Sequence, residues 1–193
     1  MTPIFNIMRV SFGGSIGSGK STVLNLLERD GYNVFFEPID KWNHLSKFYE
    51  DKKRWSFTFQ IEVLNSFVQC PKQGFVLSER SPWESSQIFT KMLVENGDMT
   101  IDELELFNKV YDNISWKPDV FIYLRTTPEI CMQRIINRNR NCESTIDLPY
   151  LKSIHDLYEK LYERDHLIID ANKSVLDVYD EVTRALATLQ YHK

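Results

Sequence analysis

Residues 14–21 read Gly-Ser-Ile-Gly-Ser-Gly-Lys-Ser and meet the pattern Gly-x-x-x-x-Gly-Lys-Ser/Thr at every fixed position. This is the tightest constraint in the chain, because the motif works only between a strand and a helix. Both are at hand. An apolar run from Met8 to Phe12 precedes it, and an amphipathic run with Val23, Leu24, Leu26 and Leu27 follows. Glycines let the backbone curl its N–H groups around phosphate oxygens, and the N-terminus of the following helix adds a positive dipole. Lys20 then reaches the β- and γ-phosphates, and the Ser21 hydroxyl ligates Mg²⁺. Gly14, Ser15, Ile16, Gly17, Ser18, Gly19, Lys20, Ser21 and Thr22 are therefore a candidate triphosphate site.

Downstream, strand and helix signals alternate. Gly31 is suited to cap the first helix. Asn33 to Phe36 reads as a short strand that Pro38 stops, leaving Glu37 at its carboxyl end. In open α/β sheets ligands bind at that edge. A short polar helix is expected over 43–53 and a longer one over 54–69. In the longer one Phe57, Ile61, Leu64 and Val68 repeat at helical spacing as a core face, and Gln60, Val63 and Phe67 form a second stripe. That stripe reads either as a core margin headed by Gln60 or as a wall for a flat heterocycle.

Phe75 to Ser78 is a strand running into Glu79-Arg80-Ser81-Pro82-Trp83, so a second strand ends in a carboxylate. Helices are expected at 84–96 and at 100–114, the latter opened by a Thr100/Glu103 capping box. Val120 to Leu124 is a nearly continuous apolar run typical of a central parallel strand. Pro128 starts a helix bearing Arg134 and Arg138, with Arg140 just beyond it. Clustered guanidinium groups suit neutralisation of a transferring phosphoryl charge. A helix over 147–164, a strand over 167–169 ending at Asp170 and a helix over 175–190 complete the pattern. The expectation is a single α/β domain over 1–193, with about five parallel strands covered by helices on both faces.

Composition narrows the partners. A net charge of −4 leaves no basic excess for a nucleic-acid backbone, so phosphate binding must be local. Cys70, Cys131 and Cys142 are odd in number and widely spaced, which predicts reduced thiols in a cytoplasmic setting and no zinc site. No apolar run reaches transmembrane length and no signal peptide is visible.

Several elements together resemble the deoxyribonucleoside kinase family, the group of deoxycytidine, deoxyguanosine, mitochondrial-type thymidine and insect multisubstrate kinases. They are Gly14 to Thr22, Glu37-Pro38-Ile39-Asp40-Lys41-Trp42, Phe59-Gln60, Glu79-Arg80-Ser81, Pro118-Asp119 with Tyr123-Leu124-Arg125, and Arg138-Asn139-Arg140. The resemblance implies a P-loop kinase fold with an Arg-rich lid over about 134–146. It further implies transfer of the γ-phosphate of ATP to the 5′-hydroxyl of a deoxynucleoside. Glu37 would accept the hydroxyl proton, with Arg80 near the accepting oxygen. Gln60 would pair with the base, Phe89 would stack on it, and Trp42 would close the pocket wall. Tyr49 and Glu143 would hold the 3′-hydroxyl, Ser21 and Glu79 would hold Mg²⁺, and Arg134, Arg138 and Arg140 would cover the transferring group. Relatives that accept purines or prefer deoxycytidine carry an Arg and an Asp where this chain has Phe67 and Ser85. The bulk of Phe67, suited to crowd one edge of the base, therefore implies a pyrimidine preference, and Val63 is placed with Gln60, Phe67 and Ser85 in the nucleoside site. A homodimer and feedback inhibition by a deoxynucleoside triphosphate are implied as well. Ser15 and Cys142 depart from residues common in the family loop and lid.

A nucleoside monophosphate kinase of the thymidylate kinase type is the alternative within the same fold. It needs cations around the acceptor phosphate, where this chain offers Glu37, Tyr49 and Glu143. A nucleotide switch would need an Asn-Lys-x-Asp or Asp-x-x-Gly signature, which is absent. A non-catalytic nucleotide-binding module has no use for a carboxylate at the end of the second strand.

Overall fold

Strands and helices alternate along the computed structural model, which describes residues 7–140, 143–162 and 167–191. The strands are β1 (Met8–Gly13), β2 (Val34–Phe35), β3 (Phe75–Glu79), β4 (Val120–Arg125) and β5 (Leu167–Asp170). They form one parallel sheet in the order β2-β3-β1-β4-β5. The chain leaves β1 toward one side of the sheet and leaves β3 toward the other, so the crevice between these neighbours opens at their carboxyl ends. Ligands bind doubly wound sheets at such a point. Register sharpens it: Phe12 lies opposite Glu79, so β1 enters the glycine loop where β3 delivers its carboxylate.

The helices are α1 (Lys20–Arg29), α2 (Leu45–Glu50), α3 (Lys52–Ser66), α4 (Pro82–Glu84), α5 (Lys91–Glu95), α6 (Ile101–Ile114), α7 (Pro128–Arg138), α8 (Leu148–Leu161) and α9 (Val175–Tyr191). Helix α1 packs its Val23, Leu24 and Leu27 with Val10, Phe12, Leu77 and Ile122 of the sheet and Val178, Val182 and Leu186 of α9. On the other face Tyr123, Tyr158, Tyr162, Phe121 and Ile88 form an aromatic-rich layer. The Thr100/Glu103 capping box forms as the sequence predicts. Among the described residues no helix is long and apolar enough to cross a membrane. Cys70 and Cys131 are free and buried, while Cys142 and residue 141 of the expected lid segment lie outside the described residues.

Two expectations need correcting. The long helix starts at Lys52 rather than at 54, because the Asp51 side chain accepts from the Arg54 backbone N–H at 3.0 Å and caps it. Its deepest face is also not the one carrying Phe57, Ile61, Leu64 and Val68. Ser56, Phe59, Gln60, Val63 and Leu64 are buried, whereas Val68 is 40% exposed. The helix is apolar on several sides, and its packing partners, not its periodicity, select the inner one.

The helix expected over 84–96 is broken. Between α4 and α5, residues Ser85–Thr90 form a π-helical turn. Such wide turns recur at functional sites. Here the i→i+5 spacing sets Ser85 and Thr90 on one face, and both hydroxyls reach the same atom of Gln60.

Candidate active site

The carboxyl ends of β1, β2 and β3 open into a cavity of about 520 Å³. Along one side run the loop residues Ile16 to Thr22. On the other stand Glu37, Trp42, Tyr49, Gln60, Val63, Glu79, Arg80 and Phe89, and Arg134, Arg138, Arg140 and Glu143 border it as well. Residues far apart in the sequence thus share one chamber.

On the loop side, Gly17 holds φ at +83°, and a Cβ there would sit 2.6 Å from the Cys131 carbonyl oxygen. Only glycine fits a loop pressed this closely against α7. Lys20 is nearly inaccessible and folds back over the loop, donating to the Gly14 and Ser15 carbonyls at 3.0 and 2.9 Å and to Ser18 Oγ at 3.3 Å. Burial lowers the ammonium to about 8, and Arg80 pushes it the same way against Glu79 and Glu37. Gly14 and Ser15 do not line the cavity; their carbonyls form its supporting floor. Ser21 Oγ donates to Glu79 Oε1 at 2.6 Å. This pair of hard oxygen donors fits Mg²⁺ that takes its remaining ligands from phosphates and water. Among the described residues no group of three or more His, Cys, Asp or Glu is arranged to hold a metal. Arg134 reaches over Gly19 and donates to the Ser18 and Ala171 carbonyls at 3.2 and 2.9 Å.

Across the cavity from the loop, Arg80 Nη1 donates to Glu37 Oε2 at 2.6 Å, and both side chains are at least nine-tenths buried. Arg80 adopts φ of +58°, a conformation costing a non-glycine residue about 1–2 kcal/mol. Its N–H bonded to Phe12 O and its carbonyl bonded to Ser78 Oγ hold that conformation. The flip directs the guanidinium across the strand end to Glu37 and over the Phe89 ring, 4.9 Å from its centroid. Burial raises the Glu37 carboxyl above its ordinary value; Arg80 opposes this, Glu79 adds to it, and Lys20 opposes it more weakly.

Gln60 lines the cavity with its amide anchored from behind: Oε1 accepts from Ser85 Oγ at 3.2 Å and from Thr90 Oγ1 at 3.5 Å. Ser85 accordingly stands behind Gln60 and does not border the cavity. Phe67 does not border it either. Fully buried below Val63, it packs with Phe35 and Trp116 and gives its carbonyl to the Trp116 indole N–H at 3.2 Å. One further turn of helix carries it past the cavity into the core, behind Val63. Trp42 meets Phe59 edge-on at 5.6 Å, and Tyr49 lies against Phe48. Glu143 borders the cavity but is engaged by Arg138 at 2.6 and 2.7 Å and by Arg140 at 3.5 Å. In this arrangement it serves the arginines.

Some of the site escaped sequence reasoning. Tyr150, whose phenol is raised by burial, borders the cavity from α8. Ala171 and Lys173 border it from the turn after β5, and Val175 and Val178 from the first turn of α9. The strand ending at Asp170 was the available signal, since its carboxyl end lies on the same edge as the loop.

The family model described as deoxynucleoside kinase matches residues 10–189. A protein of Invertebrate iridescent virus 3 named as a kinase is 37% identical over 187 residues, covering 93% of this chain and 96% of its own. Mitochondrial thymidine kinase 2 of Macaca fascicularis is 36% identical over 162 residues, covering 76% of this chain and 61% of its own. Among solved structures, deoxyadenosine kinase from M. mycoides, with products dCMP and a flexible dCDP bound, superposes with a TM-score of 0.84. That likeness runs at 25% identity and covers 94% of this chain and 100% of the other.

Proposed function

The chain belongs to the deoxynucleoside kinase family, and from that premise we propose that it phosphorylates the 5′-hydroxyl of a pyrimidine deoxynucleoside from ATP·Mg²⁺, as a nucleotide salvage step. The observation that carries the reading is the Glu37–Arg80 pair at the ends of β2 and β3, facing the Lys20 loop across one cavity. Phosphoryl transfer asks a protein mainly for alignment and charge neutralisation. Glu37 is the base that accepts the hydroxyl proton, and its burial makes it more basic than an exposed carboxylate. Arg80 keeps that carboxylate oriented and turns its remaining Nη protons to the accepting oxygen. Lys20, Arg134, Arg138 and Arg140 gather the phosphate charge, the three arginines from the segment over about 134–146 read as a lid. Mg²⁺, held by Ser21 and Glu79, supplies charge neutralisation at the phosphate oxygens.

Gln60 reads the base edge, with Phe89, Trp42 and Val63 around it and Tyr49 and Glu143 toward the sugar. The pyrimidine preference is supported by the branched Val63 on the cavity wall and by the absence of charge at Phe67 and Ser85. The homodimer that the family resemblance implies is part of this reading. The continuity of the two half-sites supports feedback by a deoxynucleoside triphosphate lying across them.

The test is a panel of nucleosides and monophosphates incubated with ATP·Mg²⁺. Thymidine and deoxycytidine are expected to show the highest kcat/KM, and Glu37→Gln is expected to bind nucleoside yet lose turnover by about 10²–10⁴-fold. Highest kcat/KM for a purine nucleoside overturns the preference; near-normal turnover by Glu37→Gln removes it as the base.

A further inference from the structure

Glu84 is completely buried, lies outside the cavity and has no part in the chemistry above. Its Oε2 accepts from Ser11 Oγ at 2.6 Å and Ser81 Oγ at 3.1 Å, and its Oε1 accepts from the Tyr158 hydroxyl at 3.2 Å. Tyr158, also fully buried, in turn accepts from Arg80 Nε at 3.3 Å. The direction of this chain is forced. A guanidinium only donates, and a phenol has one proton to give. Burial, and then the Glu84 charge, push the Tyr158 phenol well above its ordinary range, so it keeps that proton. The order is therefore Arg80 to Tyr158 to Glu84.

The chain completes a cage around one side chain. Arg80 spends Nε on Tyr158, one Nη1 proton on Glu37 and one Nη2 proton on the Gly14 carbonyl at 3.1 Å, while its face lies over Phe89. One proton remains on each Nη. Space is committed to the arrangement too: a Cβ on Gly13 would stand 2.4 Å from Glu84 Oε1 and 2.6 Å from the Tyr162 hydroxyl. The end of β1 is glycine where the buried carboxylate passes.

We propose that Tyr158 and Glu84 form a buried relay that sets the plane of the Arg80 guanidinium and, through it, the orientation of Glu37. Both are positioning residues. The relay rests on the reading of Glu37 and Arg80 as the acceptor-activating pair. Tyr158 comes from α8, the helix after the lid segment, so the relay ties the acceptor pair to the element that carries Tyr150 into the cavity.

Tyr158→Phe tests it, because the ring keeps its stack on Tyr123 (centroids 5.3 Å apart, 10° between planes) and only the hydroxyl is lost. The variant is expected to stay folded with a Tm lowered by up to about 10 °C, because Arg80 Nε and Glu84 Oε1 each lose a buried partner, and to hold both KM values within about twofold. Its kcat is expected to fall about tenfold, the scale of one hydrogen bond to a charged group. The acid limb of its kcat–pH profile moves upward, because Glu37 faces Arg80 and Lys20, which favour its charge, and Glu79, which opposes it. Weakening the Arg80 contact leaves burial less opposed. Glu84→Gln, which keeps the shape, shifts kcat and the limb the same way by a smaller factor. A readout free of turnover is the Arg80 Nε–H resonance by ¹⁵N NMR, protected from exchange in wild type and unprotected in Tyr158→Phe. Unchanged protection, or unchanged kcat and pH limb in a folded variant, overturns the relay. Lost Nε protection with Glu37→Gln still active leaves the contact standing and overturns the catalytic reading on which its role depends.

Discussion

Lys20→Met should make the free protein more stable while stripping it of ATP-dependent turnover. The Lys20 ammonium is nearly sealed from water, and burial lowers it from 10.5 to about 8. Such a difference corresponds to about 3 kcal/mol of stability withheld by keeping the charge inside. Removing it would be of no benefit if it orphaned its partners, but it does not. The Gly14 carbonyl also receives Arg80 Nη2, and the Ser15 carbonyl also receives the Ser18 backbone N–H at 3.2 Å. Methionine keeps the unbranched apolar stem. Allowing for the lost amine hydrogen bonds, the net gain is about 1–3 kcal/mol, or roughly 3–8 °C in Tm for a chain of this size. The sign follows from linkage. A lysine whose folded pKa lies below its unfolded value imposes its full cost below about pH 8, and the cost fades as pH rises from about 8 toward 10.5. Thermal unfolding of both proteins without nucleotide, from pH 6.5 to 10, reads this directly. The variant should melt higher at neutral pH, the gap should close with rising pH, and the stabilisation by added ATP·Mg²⁺ should shrink. A variant that melts at or below wild type at pH 7, or a gap indifferent to pH, refutes the reasoning.

Two further outcomes bear on the corrected wall of the cavity. Phe67→Ala should destabilise the protein by about 3 kcal/mol or more, as loss of a fully buried phenylalanine does, yet leave the nucleoside KM within about twofold. A large KM change without loss of Tm would place Phe67 in the cavity after all. The double variant Ser85→Ala/Thr90→Val releases Gln60 Oε1 from both its anchors, so nucleoside kcat/KM should fall about tenfold with the ATP KM unchanged. Steady-state kinetics with each substrate varied in turn separates the two cases, and an unaltered nucleoside kcat/KM would show that the anchors do not matter.

Much of this molecule was legible before any coordinates. The loop at 14–21 demanded a strand before it and a helix after it, and β1 and α1 are there. Phe75 to Ser78 read as a strand and the nearly continuous apolar run at 120–124 as a central parallel one, and the helices between strands pointed to a doubly covered sheet. From parallelism it follows that every strand's carboxyl end lies on one edge. Glu37 and Glu79 were thereby bound to face the loop, whatever the details. Such features are local, or follow from local pattern through topology.

Only the tertiary structure decided the rest, because it depends on which surfaces meet. Helix α3 is apolar on more than one side, so its own periodicity cannot say that Gln60 and Val63 face the cavity while Phe67 passes below it. The π-turn at 85–90 is invisible in a sequence that reads as ordinary helix, yet it stacks Ser85 and Thr90 behind Gln60. The positive φ of Arg80 is unfavourable locally and persists because Phe12, Ser78, Glu37 and Gly14, distant in sequence or fixed by the strand, all bond to it. Glu84 carries no signal of its own in the sequence; only the fold brings Ser11 of β1, Ser81 before α4 and Tyr158 of α8 within hydrogen-bonding distance of it.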